Sequence, residues 1–323
     1  MKAAVYYATG APDVFRYEEV PDPIVRKNGV LVQVAAVGIQ GGDLLNRQGG
    51  ALMSNPHIVG YQASGTVIAI GESVTTVHEG QKVVVTTPFG SHAELVSVPE
   101  GSAFAVPDSM SFNDAAGIPI EFGTADDCLF EFGALQAGET VLIQAGAGGV
   151  GLAAIQLAKQ AGAFMVLATA SSDDRLNRLK AFGMDHGINY AQADVAAEVM
   201  RLTDGKGVNL VVDPVGGKTL EGSIASLAYR GRVSWVGRAG REERPPEIWP
   251  IMQKNGSIHG VFLGAEMALN AQRTRPMVER LITRIASGEL TVVTDKVFPL
   301  AEAAEAHRYI ESRQAFGRVL LVP

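Results

Sequence analysis

The hexapeptide Gly146-Ala147-Gly148-Gly149-Val150-Gly151 directly follows a strand-like run, Val141 to Ala145. It opens a segment that places Val150, Ala154, Leu157, Ala158 and Ala161 on one helical stripe. Each spaced glycine has its own reason to be there. Gly146 permits a tight turn, Gly148 lets the backbone approach a pyrophosphate, and Gly151 lets the helix pack closely on the strand. The helix N-terminus behind them supplies free N–H groups and a partial positive charge, so this turn reads as a dinucleotide cradle.

The alternation continues beyond it. Strand-like Phe164 to Thr169, Ile188, Val208 to Val212 and Arg232 to Val236 are interleaved with helical stretches near Asp173 to Phe182, Val195 to Leu202 and Thr219 to Leu227. Strands alternating with helices predict a parallel, doubly wound sheet. Upstream the period is different. Short β segments at Ala3 to Tyr6, Val30 to Ala35, Gly65 to Ile70, Lys82 to Thr86 and Ala93 to Val98 are punctuated by Gly and Pro, which predicts a compact, barrel-like β domain. After Gly264 a helical pattern runs from Pro276 to Ala286, followed by β-like Thr291 to Phe298 and Arg318 to Val322. The expected division is 1–120 for the β domain, 121–264 for the nucleotide domain, and 265–323 for a segment that returns to the first.

Composition narrows the function. A net charge of −7 without a Lys/Arg stripe argues against nucleic acid or an anionic membrane surface as the main partner. No stretch approaches a membrane span and no secretory leader is visible, so a cytoplasmic location is expected. The single cysteine, Cys128, excludes an intrachain disulfide and any multi-thiolate zinc site within the chain.

The choice of dinucleotide turns on the end of the second nucleotide-domain strand, where an acid would accept hydrogen bonds from both adenosine ribose hydroxyls. That place falls on Ala170. An uncharged residue there leaves room for a 2′-phosphate, with Ser171 and Ser172 as donors and Arg175 as a nearby cation, which favours NADPH. A second reading stays open: Ser172 as a plain helix cap and Arg175 as a solvated residue, with Asp173 and Asp174 set against an anion.

Several stretches share the order and spacing of one family across nearly the whole chain. They are Met1-Lys2-Ala3 with Gly10-Ala11-Pro12-Asp13-Val14 and Glu19-Val20-Pro21; Ala36-Val37-Gly38-Ile39 with Asp43, Arg47 and Gly49; Ala145 to Gly151; Ala170-Ser171-Ser172; Ile188-Asn189-Tyr190; Val212 to Gly217; Gly231-Arg232-Val233; and Phe316-Gly317-Arg318-Val319. The chain resembles the zinc-less quinone oxidoreductase (zeta-crystallin-like) group of the medium-chain dehydrogenase/reductases. The resemblance implies a GroES-like catalytic domain, a Rossmann cofactor domain, an active site in the cleft between them, and a homodimer. It also implies that Thr124, Gly146, Gly149, Val150, Ser171, Ser172, Arg175, Tyr190, Gly237 and Arg318 line the NADPH channel. Tyr190 reads equally as an ordinary strand-end aromatic.

Zinc alcohol dehydrogenases of this superfamily carry Cys in a G-x-C-G-x-D segment and His-Glu in a G-H-E segment. Here the two read Gly38-Ile39-Gln40-Gly41-Gly42-Asp43 and Gly60-Tyr61-Gln62. An amide and a phenol are poor zinc ligands, and the six His show no paired helical spacing that would replace them. Without a Lewis acid, reduction of a simple carbonyl is disfavoured. A quinone or α,β-unsaturated carbonyl spreads the arriving charge into an enolate-like system that ordinary donors can hold. Gln40, Tyr61 and Gln62 are the candidate donors, with Asp43 and Arg47 supporting the loop. Gln40 reads also as a space-filler, and Tyr61 as a packed aromatic. An enoyl-thioester or alkenal reductase, and a non-catalytic NADPH-binding protein, are the competing expectations. The charged run Arg238 to Arg244, with Glu242 and Glu243, reads either as a rim for an anionic substrate or as a solvated loop.

Overall fold

The computed structural model describes residues 1–242 and 244–323, in two compact units: Met1–Ile120 with Gly264–Pro323, and Glu121–Leu263. The first unit contributes β1 (Lys2–Tyr6), β2 (Arg16–Glu19), β3 (Gly29–Gly38), α1 (Gly41–Gly49), β4 (His57–Ile58), β5 (Gln62–Ile70), β6 (Lys82–Thr86), β7 (Leu95–Pro99), β8 (Ala103–Ala105) and the short α2 (Phe112–Ala115). β3 organises this unit. It pairs antiparallel with β5 and β7, and its alternation turns Val30, Val32 and Val34 into a core shared with Val67, Val83, Val85 and Leu321. It is longer than the expected strand and runs on to Gly38, delivering the chain to α1. A helix there was not expected. Gly41-Gly42-Asp43-Leu44-Leu45-Asn46-Arg47-Gln48-Gly49 has weak helix propensity, and a reciprocal cap supplies what propensity does not, the Asp43 carboxylate accepting from the Gln40 N–H at 2.7 Å.

The second unit begins within α3 (Pro119–Asp126), which continues into one π turn, Asp127–Glu131. β9 (Thr140–Ile143), α4 (Gly149–Gln160), β10 (Met165–Ala170), α5 (Asp173–Leu179), β11 (His186–Asn189), α6 (Val195–Leu202), β12 (Val208–Asp213), α7 (Gly217–Ala225), β13 (Leu227–Trp235) and β14 (Ser257–Gly260) follow. All six strands are parallel, in the order β11-β10-β9-β12-β13-β14. This is the doubly wound arrangement, with its direction of winding reversing between β9 and β12. Leu142, Leu167, Ile188, Val211 and Val233 fill the core from successive strands. β14 was not anticipated, because Ser257-Ile258-His259-Gly260 is too short and polar to announce a strand.

The chain then returns to the first unit through α8 (Leu263–Leu269), α9 (Ala271–Ala286), β15 (Thr294–Pro299), α10 (Ala303–Glu311) and β16 (Arg318–Val322). β16 pairs antiparallel with β3 and parallel with β15, so the chain's end lies beside the strand that leads to α1. α9 starts five residues before Pro276, where the helical pattern was expected to begin. Its buried stripe, Thr274, Met277, Val278, Leu281 and Ile282, carries the helix through the proline.

Candidate functional site

In the first unit the residues singled out by sequence gather around α1. Gln40 is its N-cap, nearly buried, with its Nε2 3.4 Å from the Gly38 carbonyl. Asp43 is fully buried and spends one carboxylate oxygen on the Gln40 N–H, so it shapes the loop. Arg47 is also fully buried. Its guanidinium pairs with Glu311 of α10, and Gln48 donates to the same carboxylate oxygen at 3.1 Å. Arg318, on β16, donates to the Ile39 carbonyl, bracing the residue before Gln40.

Tyr61 and Gln62 diverge. The Tyr61 ring lies against Gly42: a Cβ at residue 42 would stand 2.4 Å from Tyr61 Cε2 and 3.1 Å from its hydroxyl. Gly42 therefore makes room for a ring on the first turn of α1, whereas a Cβ on Gly41 would meet nothing within 4 Å. Burial, and then the Asp43 charge, push the Tyr61 hydroxyl up to about 12, so it stays protonated and able to donate near neutral pH. Gln62 is committed elsewhere. It is fully buried, donating to the Ala116 carbonyl at 2.7 Å and accepting from the Ile120 N–H at 3.0 Å. The expectation that Gln62 serves as a substrate donor is corrected: its amide bridges two backbone segments.

Two further polar groups were missed. Asn46 of α1 accepts from the Tyr6 hydroxyl at 2.6 Å and lies 3.1 Å from His57 Nε2. His57 Nδ1 accepts from the Met53 N–H, which fixes Nε2 as the protonated nitrogen. Deeper, His92 and His307 meet at 3.3 Å through their Nε2 atoms, both buried, with Phe15 stacked on one and edge-on to the other. The four-residue spacing of His307 and Glu311 put both on one face of a helix and was the available signal.

In the second unit the left-handed residue of the turn is Ala145 and not Gly146, which was expected to permit it; a Cβ on Gly146 would instead stand 2.9 Å from Ala168 Cβ. Ala145 adopts a left-handed conformation (φ 53°), and the chain turns back with Gly146 N bonded to the Thr169 carbonyl at 2.8 Å. A Cβ on Gly151 would stand 2.5 Å from the Ala145 carbonyl oxygen, whereas one on Gly148 would approach only that oxygen, at 3.4 Å. Gly148 is exposed, Gly149 and Val150 half-buried, and no side chain caps the N-terminus of α4. That open, backbone-lined terminus has room for a pyrophosphate.

Behind the turn runs a buried network that sequence reasoning did not find. Thr169 Oγ1 accepts from the Ala145 N–H and donates to Gln144; Gln144 Nε2 lies 3.1 Å from Ser223 Oγ; and Ser223 donates to Asp213 at 2.8 Å. The other Asp213 oxygen accepts from the Val215 and Gly216 N–H groups. Burial raises the Asp213 carboxyl, against these hydrogen bonds. One network thus joins the phosphate turn to the loop after β12.

At the end of β10, Ala170 is buried beside half-buried Ser171, Ser172 and Arg175. Ser172 caps α5 through the Arg175 N–H at 3.4 Å, so its capping role is realised. Tyr190 follows β11 and is 46% exposed, which leaves its ring face available. Thr124 is buried in α3. Gly237 sits where a Cβ would meet the Pro214 carbonyl oxygen at 2.7 Å, clasping the loops after β12 and β13 together. These loops bound a cavity of about 310 Å³ whose lining includes Trp235, Arg238, Glu242 and Arg244. Arg244 pairs with Glu221, and Glu242 accepts from the Lys218 N–H at the start of α7. Glu243 lies outside the described residues. These local partners favour the solvated-loop reading of the run.

A GroES-like unit joined to a parallel six-stranded nucleotide-binding unit defines a two-domain dehydrogenase class. Residues 26–108 match the alcohol dehydrogenase GroES-like domain, and residues 149–286 the zinc-binding dehydrogenase family. The human synaptic vesicle membrane protein VAT-1 homolog is 32% identical over 90% of this chain and 78% of its own length. The quinone oxidoreductase of Sus scrofa is 31% identical over 100% and 98%. The Escherichia coli quinone oxidoreductase, solved in complex with NADPH, superimposes with a TM-score of 0.94 at 27% identity, over 100% of both chains. The chain belongs to the quinone oxidoreductase branch of the medium-chain dehydrogenase/reductase family and is an oxidoreductase.

The name zinc-binding dehydrogenase prompts a test of the donor set. Where a catalytic zinc would need thiolate, imidazole or carboxylate, this chain presents the Gln40 amide, the Tyr61 phenol and the Gln62 amide, the last already held by backbone. Among the described residues no group of three or more His, Cys, Asp or Glu could hold a metal ion. These residues do not fit zinc.

Proposed function

We propose that the chain binds NADPH and transfers hydride to a quinone or another α,β-unsaturated carbonyl without zinc. The observation that carries this reading is the donor set around α1: an amide and a protonated phenol at the former ligand positions, and Gln62 diverted to structure. The pyrophosphate is assigned to the N–H groups of Gly148 to Gly151, and the 2′-phosphate to Ser171, Ser172, Arg175 and Tyr190. Thr124, Gly237 and Arg318 are carried by the family resemblance. When bound, NADPH supplies a hydride from its nicotinamide.

The remaining work falls to neutral groups. Hydride addition to a quinone or to the β-carbon of an enone forms an oxyanion delocalised over the conjugated system, and Tyr61 Oη and Gln40 Nε2 are the donors that hold it. A proton from Tyr61 or water completes the two-electron reduction. The partly exposed Leu45, Leu52 and Met53, on and beyond α1, offer an apolar surface suited to such acceptors. Asp43 and Arg47 keep the loop in place.

Metal-free protein, kept in chelator, should oxidise NADPH in the presence of a simple quinone. Dependence on added zinc would overturn the metal-free chemistry, and an absence of saturable nucleotide binding would overturn the enzyme reading. Parallel turnover of a quinone, a short enone and an enoyl thioester ranks the acceptor classes. We further assign a homodimer, supported by the resemblance and by the β14 edge with Trp249, Met252 and Phe262 exposed in the same unit. We place the protein in the cytoplasm, in keeping with its buried thiol Cys128. Among the described residues no helix is long and apolar enough to cross a membrane.

A further inference from the structure

The turn assigned to the 2′-phosphate holds a contradiction. Beside Ser171, Ser172 and Arg175 stand two carboxylates, Asp173 and Asp174, on the first turn of α5. A carboxylate there repels a phosphate dianion and suits the two free ribose hydroxyls of NADH. One of the two is restrained. Asn189 Nδ2 donates to Asp173 Oδ1 at 2.8 Å. Asn189 is the last residue of β11, in register with Ala170, and is 8% exposed. Its own orientation is settled by a second bond, the Ala191 N–H donating to Asn189 Oδ1 at 3.1 Å. With the oxygen committed to that N–H, the amide can only present its NH₂ to Asp173.

We propose that Asn189 is a positioning residue that sets the preference for NADPH over NADH by drawing the Asp173 carboxylate toward the end of β11 and away from the 2′-phosphate. The inference rests on the NADPH reading above and deepens it. Ala170 removes the acid that would select NADH, and Asn189 restrains the acid that remains. Arg175 then faces the phosphate with one near competitor fewer; Asp173 and Asp174 are both exposed, and the Asn189 amide is what distinguishes Asp173. No sequence motif for the second strand would reveal this, since the restraining group comes from the third.

The test is a cycle of Asn189→Ala, Asp173→Ala and the double variant, with dissociation constants for NADPH and NADH measured side by side. Asn189→Ala should weaken NADPH by roughly five- to tenfold, as expected for one released charge near a phosphate, and leave NADH unchanged or tighter. Asp173→Ala should keep or improve NADPH affinity, and the double variant should recover it. Asn189 also shapes the turn after β11, and a merely structural role would weaken both nucleotides together without rescue by Asp173→Ala. That outcome, or an unchanged NADPH:NADH ratio in Asn189→Ala, overturns the inference and leaves NADPH binding standing. Wild-type protein that binds NADH as tightly as NADPH overturns both.

Discussion

Around α1 the buried and half-buried polar groups carry charge or protons: Arg47 against Glu311, His92 against His307, Asp43 under the Gln40 N–H, Tyr61 against Gly42. Around the ends of β9, β10 and β12 the groups are an amide, two hydroxyls and one carboxylate, and the chain approaches itself through glycines. The proposed nucleotide rim is therefore specified by volume, and the α1 loop, the proposed acceptor side, by electrostatics. Perturbations of charge and pH should register first around α1, and added methyl groups first at the rim.

The largest effect should come from Glu311→Leu. Arg47 is fully buried, and the substitution removes a carboxylate that its guanidinium pairs with, a change that costs about 3–5 kcal/mol where one partner of a buried pair is lost. The unfolding midpoint should fall accordingly, and NADPH affinity should fall much less. An equal loss of both would break the division between the two regions.

The histidine pair predicts the sign of the acid response. Burial holds His92 down at about 3, and burial, then His92 and Arg47, hold His307 well below its ordinary 6.5. The folded chain binds fewer protons at these sites than the unfolded chain in the window from about 6.5 down to about 3. Their contribution is complete above that window and is lost as pH falls through it. Asp213, whose carboxyl is raised, works in the opposite sense, favouring the folded state as pH falls. His307→Gln isolates the imidazole part: the stability profile between pH 6.5 and 4 should flatten relative to wild type. An unchanged slope would remove the pair as its source.

What could be read in advance follows the same division. The glycine turn and the βα alternation are local signals, since the atoms nearest a Cβ on Gly148 or Gly151 belong to Ala145 and Gly146, so the doubly wound sheet was legible. The polar side chains around α1 answer to partners far along the chain: Gln62 to Ala116 and Ile120, Arg47 to Glu311. Nothing near Gln62 reveals that its amide is taken, and α1 was invisible because a cap and not propensity sustains it. Asn189 was quoted as part of a motif, yet its link to Asp173 depends on strand register.

Next in size is Gly151→Ala. The new Cβ would stand 2.5 Å from the Ala145 oxygen and 2.7 Å from Gly146 Cα, both backbone, so α4 must shift. A loss of about 1–3 kcal/mol is expected, with NADPH affinity falling in parallel. At Gly42→Ala the atoms nearest the new Cβ all belong to the Tyr61 side chain and not to backbone. Stability should change by about 1 kcal/mol or less, and kcat for a quinone should fall while NADPH affinity holds. If kcat is untouched, Tyr61 is packing and not a donor.

Gly148→Ala gives the smallest change in stability and the sharpest test of the rim. Residue 148 has φ −83°, which alanine adopts without strain, and its Cβ would meet only the Ala145 oxygen, at 3.4 Å. The unfolding midpoint should therefore stay within about 0.5 kcal/mol of wild type. The same methyl group would project from an exposed residue at the uncapped start of α4, where the pyrophosphate must come close to backbone. NADPH affinity should drop about tenfold, or roughly 1.4 kcal/mol. Full affinity in a stable Gly148→Ala protein would mean that the phosphates rest elsewhere, and the assignment of volume as the rim's selecting principle would fail at the residue where it is cleanest.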